Sequence, residues 1–260
     1  MCLDRLNRKR CSCPTRGMAL AILFSQLETS DQKLATSNFS NSGQIATIGG
    51  NPQGGFSVST QPMTDWQERK AAIREQAHEA RRAQENKDEL SQTICEKFAA
   101  LPEFASAKTV MFYVDVRTEV RTRHFLPQAL TLGKQSVVPW CNAEGELELF
   151  HLENMDELSI GMYKILEPRE DLRLLPAKQV PVEQLDLVMV PGVAFDRSGA
   201  RMGHGKGYYD KLLEHARPDT PLVALAFECQ MFPEIPVQSH DVFMDKIVTE
   251  SAVYNGRGRS

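Results

Sequence analysis

The chain has 260 residues, 42% of them hydrophobic and 25% charged, and its 30 basic and 34 acidic residues give a formal net charge of −4. These are the proportions of an ordinary globular protein and exclude collagenous, fibrous or wholly disordered classes; the apolar run at residues 18–24 is too short to span a bilayer. Residues 1–62 hold six basic and three acidic residues, so the remainder carries 24 against 31 and a net −7, which argues against nucleic-acid binding through a basic face.

No charged residue stands between Lys33 and Asp65, and Ser, Thr, Asn, Gln and Gly fill the gap, including Asn51-Pro52-Gln53-Gly54-Gly55. A stretch with neither an apolar nor a charged face predicts a disordered extension over residues 1–62, or a translation start placed too early, followed by one folded domain over 63–260. Thr64 with Gln67 forms a capping-box pattern, and no Pro or Gly follows until Pro102. This predicts one long helix over residues 65–100, or two with a break near Asn86.

The run at residues 109–114, Thr-Val-Met-Phe-Tyr-Val, predicts a buried strand; residues 125–132 predict a helix closed by Gly133. Strands are expected at residues 136–139, 147–152, 185–190, 221–227 and 246–249, the second with the alternation of a half-exposed edge. A polar turn at residues 196–199 leads to glycines at 203, 205 and 207, and residues 208–216 predict a helix. Strands alternating with helices specify an α/β domain with a mainly parallel sheet flanked by helices, whose ligands sit at the carboxyl ends of strands.

The densest chemical signal is Arg201-Met-Gly-His-Gly-Lys-Gly-Tyr-Tyr-Asp210. Glycines at alternate positions leave backbone N–H groups open to a phosphate, Lys206 adds a point charge, and the following helix presents its N-terminus. It is neither a P-loop nor a dinucleotide fingerprint, whose third glycine position is Tyr208 here. Lys70, Arg74 and Arg81 fall within about 40° of one another on a helix and form a basic stripe, which is either a solvated face or an anion site. Glu119 follows the first buried strand, and Asp210 with Asp245 could supply oxygen ligands to Mg²⁺. Tyr208 and Tyr209 offer ring faces or core packing. None of the six histidines enters a metal or triad motif, and no cysteine stands in paired ligand spacing. Cys2, Cys11 and Cys13 lie in the extension and Cys95, Cys141 and Cys229 are scattered, a usage that suits a reducing cytoplasm.

In combination these residues are recognisable. Lys70-Ala-Ala-Ile-Arg74 with Arg81, Tyr113 through Glu119-Val120 and Thr122, Val190-Pro-Gly-Val-Ala-Phe-Asp196, the glycine cluster, and His240-Asp241 with Asp245 resemble the 5-formyltetrahydrofolate cyclo-ligase (5,10-methenyltetrahydrofolate synthetase) family in consistent order from residue 66 to about 250. Departures are Ile73 where Leu is usual and Thr118 where Asn or Gly commonly precedes the glutamate. The resemblance implies an ATP- and Mg²⁺-dependent ring closure that converts 5-formyltetrahydrofolate to 5,10-methenyltetrahydrofolate, in a monomeric cytoplasmic enzyme with no nucleic-acid or membrane partner.

It also implies roles. Lys70, Arg74 and the run Arg201, Met202, Gly203, His204, Gly205, Lys206, Gly207, Tyr208 and Tyr209 would bind ATP. Val114 and Glu119, with Arg74 and residues 204–208, would bind the folate. Lys206, Arg201 and Glu119 would serve catalysis, and Asp210 and Asp245 would hold Mg²⁺. The alternatives are a non-catalytic folate- or nucleotide-binding relative and a phosphosugar isomerase or CoA-transferase-like enzyme on a similar sheet.

Overall fold

The computed structural model describes residues 46–48, 58–60, 65–161, 165–238 and 241–259, all within the unit Gln44–Ser260. The expectation of disorder over 1–62 falls mostly outside these residues, as do Thr64 and His240. Within that stretch β1 (Ala46–Ile48) pairs antiparallel with β2 (Val58–Thr60), where Thr47, Ile48, Val58 and Thr60 supply the β-branched residues that strands favour.

The helical stretch resolves into α1 (Asp65–Ala83) and α2 (Lys87–Ala99), broken at Asn86, whose φ of 52° is left-handed. Asn tolerates that conformation better than most residues with a side chain. α2 turns Ile94, Cys95 and Phe98 inward. A short α3 (Pro102–Ser106), with proline in its first turn, leads to β3 (Thr109–Met111). The chain continues through α4 (Leu126–Ala129), β4 (Gln135–Cys141) and β5 (Leu147–Leu152), then the small ladder of β6 (Leu158–Ile160) and β7 (Leu166–Pro168), and α5 (Glu170–Arg173). Next come β8 (Leu187–Val190), the tight hairpin of β9 (Ala194–Phe195) and β10 (Arg201–Met202), and α6 (Tyr208–His215). Last are β11 (Leu222–Leu225), β12 (Lys246–Val248) and β13 (Val253–Asn255).

Seven strands form the main sheet in the order β13-β12-β11-β8-β3-β4-β5. The five inner strands are parallel, and the two edges, β13 and β5, pair antiparallel. β3, β8 and β11 are buried at every position because both faces are covered. Alternate side chains feed two cores. Val110, Leu187, Met189, Val223 and Leu225 cluster with Ile94 and Phe98 of α2, whereas Met111, Val188, Val190, Leu222 and Ala224 cluster with Leu212 and Leu213 of α6.

The order has a functional consequence. From β3 the chain moves to β4 on one side, whereas β8 lies on the other side of β3 and is followed outward by β11 and β12. The β3–β8 boundary is therefore a topological switch point, where connections diverge and leave a crevice beyond the carboxyl ends.

Candidate functional site

Two loops leave the switch point. After β3, residues 112–123 are pinned by a set of inward bonds: the buried Tyr113 hydroxyl donates to the Val120 carbonyl at 3.1 Å, and Asp115 accepts from Arg123 N and Nε, each at 2.8 Å. Arg117 takes a left-handed φ of 55° in this loop. That tight turn folds Glu119 back, so its Oε2 accepts the Val116 N–H at 3.0 Å while the residue is only 5% exposed. Sparsely populated backbone of this kind persists where the surroundings over-determine it.

After β8, Pro191 and Gly192 lead into the β9–β10 hairpin. Gly192 is required, since a Cβ there would lie 2.3 Å from the Phe195 ring. Its carbonyl accepts from Arg81 at 3.2 Å and from Gln230 Nε2 at 3.0 Å. The hairpin turn is tied by Asp196, whose Oδ1 accepts Ser198 N at 2.8 Å and whose Oδ2 accepts Ile235 N at 2.9 Å. The hairpin then releases the glycine loop. Gly205 and Gly207 have φ values of +88° and +70°, a region that residues with a Cβ rarely adopt, so alternate glycines set this curvature. Gly207 is also the N-cap of α6.

The loop closes a cavity of about 270 Å³ lined by Tyr113, Val114, Val116, Glu119, Pro191, Gly192, Arg201, Gly203, His204, Gly205, Lys206, Gly207, Tyr208, Tyr209 and Asp210. A larger groove of about 890 Å³ runs between β5, residues 176–183 and α6, and it shares only Tyr208 with the first. The smaller cavity collects Val114, Glu119, Arg201 and residues 203–210 of the predicted site, while Lys70, Arg74, Met202 and Asp245 lie outside its lining, and chemistry outweighs volume here.

The basic stripe of α1 is not a solvated face. Arg74 Nε donates to the Gly203 carbonyl at 3.1 Å, and Lys70 Nζ donates to Asp241 Oδ2 at 3.3 Å. Arg81 is 2% exposed; burial pulls its pKa down, and the Glu119 carboxylate partly offsets this. Burial likewise lowers that of Arg74. His78 lies on the same stripe, one turn after Arg74, and its ring stacks on that of His204 with centroids 5.4 Å apart. Across the cavity His204 Nε2 approaches Glu119 Oε1 at 3.4 Å.

Some assignments change. Met202 is buried in a small core with Ala77, Val193, Ala194 and Ile235, so only its backbone can face a nucleotide. The Arg201 side chain is 3% exposed; it pairs with Asp210 and stacks over the Tyr209 ring, which makes it a buttress of the loop. Tyr209 packs against both main cores, and burial drives its phenol well above the ordinary range. Val114 packs partly buried on the larger core and still lines the cavity. His204, Gly205 and Lys206 are exposed at the mouth.

The structure does not bring Asp245 to Asp210. Asp245 directly precedes β12, and its Oδ2 accepts the N–H of Leu222, the first residue of β11, at 2.7 Å. That is the amino end of the parallel strands, opposite the cavity. Asp245 therefore corrects to a structural carboxylate, and the proposed pair does not fit one Mg²⁺ ion. Among the described residues no group of three or more His, Cys, Asp or Glu could enclose a metal. The carboxylate that α1 brings to the loop side is Asp241, through Lys70.

His78 and Gln230 escaped sequence reasoning. The spacing of His78, four residues after Arg74 and three before Arg81, was a signal; nothing marked Gln230. Burial pushes the Cys95 thiol up to about 12 and also raises that of Cys229, so neither is an activated nucleophile. Among the described residues no helix is long and apolar enough to cross a membrane.

Comparison with known proteins identifies the family. The model of the 5-formyltetrahydrofolate cyclo-ligase family matches residues 66–250. A probable 5-formyltetrahydrofolate cyclo-ligase of Schizosaccharomyces pombe is 33% identical over 179 residues, spanning 64% of this chain and 86% of the relative. The 5-formyltetrahydrofolate cyclo-ligase of Escherichia coli K12 is 30% identical over 173 residues, 65% of this chain and 93% of the relative. The solved 5,10-methenyltetrahydrofolate synthetase of Aquifex aeolicus superposes with a TM-score of 0.62 at 33% identity, covering 74% of this chain and 95% of that one.

Proposed function

The chain belongs to the 5-formyltetrahydrofolate cyclo-ligase family, and from that premise we propose that the cavity under the glycine loop performs its reaction. The protein is an ATP-dependent ligase that converts 5-formyltetrahydrofolate to 5,10-methenyltetrahydrofolate. The observation that carries the site assignment is convergence at the switch point: the left-handed glycine loop, the Arg74 guanidinium on it and the buried Glu119 line or border one cavity.

The chemistry accounts for these residue types. A formyl oxygen is a poor leaving group until the γ-phosphoryl group of ATP is transferred to it; N10 then attacks the formyl carbon and phosphate departs. Such transfer needs positive charge and preorganised donors rather than a protein nucleophile. Lys206 and the open N–H groups of residues 203–207 lie closest to the transferred phosphoryl group, and Lys70 and Arg74 hold the remaining phosphates. Glu119 and Val114 face the folate, with Glu119 towards the N5-formyl region. Arg201, held by Asp210 and the Pro191 carbonyl, keeps the loop in register.

Asp210 on the cavity wall is the carboxylate that would hold Mg²⁺, which in phosphate sites takes one or two carboxylates and completes its shell with waters and phosphate oxygens. When bound, the ion supplies charge neutralisation at the phosphates. The free thiols Cys95, Cys141 and Cys229 suit a cytoplasmic location. The test is absorbance of the methenyl product with 5-formyltetrahydrofolate and Mg-ATP, coupled to ADP release. Stoichiometric ADP and product are expected, and no product at any enzyme concentration overturns the reading.

A further inference from the structure

Ring closure leaves one proton without an owner. When the N10 lone pair forms its bond to the formyl carbon, the N5–C π pair returns to N5 and N10 becomes cationic. Its N–H proton must leave before the C–O bond breaks and phosphate departs with that electron pair. A base on the cavity wall is therefore required, or water must serve.

The titratable side chains of the wall narrow the choice. Glu119 is buried, with Oε2 occupied by the Val116 N–H and Oε1 facing His204. Asp210 is engaged by Arg201, and Lys206 is a cation suited to phosphate. Burial raises the phenols of Tyr113 and Tyr209, which makes them acids too weak to exist as phenolates. Among the imidazole and carboxylate groups of the wall His204 remains, with a side chain 54% exposed at the mouth. Its Nε2 lies 3.4 Å from Glu119 Oε1, so an Nε2–H donated to that carboxylate leaves the Nδ1 lone pair as the acceptor. One face of the ring rests on His78. Burial, followed by the charges of Arg81, His204, Arg82 and Arg117, lowers the pKa of His78. The Glu119 carboxylate at 3.4 Å favours positive charge developing on the His204 ring.

We infer that His204, oriented by Glu119 and His78, accepts the N10 proton during ring closure. The inference rests on the reading of the cavity as the cyclo-ligase site. It adds a carboxylate–histidine dyad to a reaction whose first half needs only phosphate binding, and general-base catalysis of this kind contributes on the order of 10²–10⁴-fold.

The experiment compares the full-length wild type with His204→Gln and His204→Ala, each checked by circular dichroism and thermal melting. Methenyl formation is followed against pH and corrected for the enzyme-free reaction, with single-turnover ADP release measured in parallel. In wild type the rate should fall on the acidic side, as a reaction that requires a free base must. Both variants should lose at least about tenfold in kcat and lose that acidic limb, yet keep their ADP burst and their KM for ATP, and added imidazole should restore part of the His204→Ala rate. Retention of wild-type kcat and pH profile overturns the inference. So does loss of ATP affinity with the limb unchanged, which makes His204 a loop-holding residue. A wild type that forms no product is a different failure and refutes the cyclo-ligase reading of the cavity itself.

Discussion

Lys206 is exposed at the mouth of the glycine loop and is the cation proposed to meet the transferred phosphoryl group. Its replacement by alanine should lower kcat well over tenfold, because one preorganised charge at a developing anion contributes about 2.7–4 kcal/mol. Steady-state kinetics close to wild type would show that Lys206 does not reach the phosphate. The two carboxylates grouped by sequence should separate in the same way. Asp245→Ala leaves the Leu222 N–H without its acceptor and should reduce stability by about 1–3 kcal/mol, with the Mg²⁺ dependence of the activity unchanged. Asp210→Asn should instead raise the Mg²⁺ concentration needed for half-maximal rate, and because it also leaves the buried Arg201 guanidinium without its carboxylate it should lower the melting temperature as well. A shifted Mg²⁺ requirement in Asp245→Ala would contradict this division. Asp245 stands just before a parallel strand, and that position lies at the amino end of the sheet, away from the crevice. Asp241, by contrast, meets Lys70 of α1 through a contact 171 positions away in the chain, which no local pattern announces.

At the scale of elements, the strands that position the site are held at their starts as well as at their carboxyl ends. Asp186, just before β8, accepts the N–H groups of Lys108 and Thr109 at 3.0 Å each and pairs with Arg217. Burial pushes the Asp186 carboxyl up, but those hydrogen bonds and the guanidinium outweigh it and hold the pKa below its ordinary value. A carboxylate depressed in the folded state adds stability in full above the unfolded value of about 3.9, and that contribution is lost as pH falls through the folded value. Urea midpoints measured from pH 6 down to pH 3 should therefore fall less steeply for Asp186→Asn than for wild type; equal slopes would remove Asp186 from the acid response. Long elements were legible because periodicity accumulates. The run Leu187–Val190 declares a strand covered on both faces, whereas residues 65–100 read as one helix or as two with a break near Asn86, and the structure takes the second form. The two-residue strands β9 and β10, the edge strand β13 and the β6–β7 ladder were not foreseen, since two or three residues carry too little pattern to separate strand from turn. The strand expected over residues 109–114 stops at Met111, because the chain leaves the ladder there to build the Glu119 loop.

For the molecule as a whole, the sequence motifs were scattered over 140 positions, and the strand order explains why they meet. Placing β3 beside β8 brings residues 113–119 and residues 191–210 to the same crevice, and α1 then lays Arg74 and His78 against the loop while burying Arg81 behind it. Strand order is set by long-range pairing, so the meeting point could be anticipated only through family resemblance or the general rule for open parallel sheets. The same arrangement makes a prediction about size. All residues of the cavity and of the seven-stranded sheet lie at or after Lys70, and β1 and β2 pair only with each other. A chain beginning at Met63 should thus keep the kcat, the KM for ATP and the melting temperature of the full-length protein within experimental error. Parallel assays of methenyl formation and thermal unfolding on the two lengths provide the check. A truncated chain that melts several degrees lower, or that binds ATP more weakly, would place part of residues 1–62 in contact with the catalytic unit and assign them a role that the uncharged composition of residues 34–62 does not suggest.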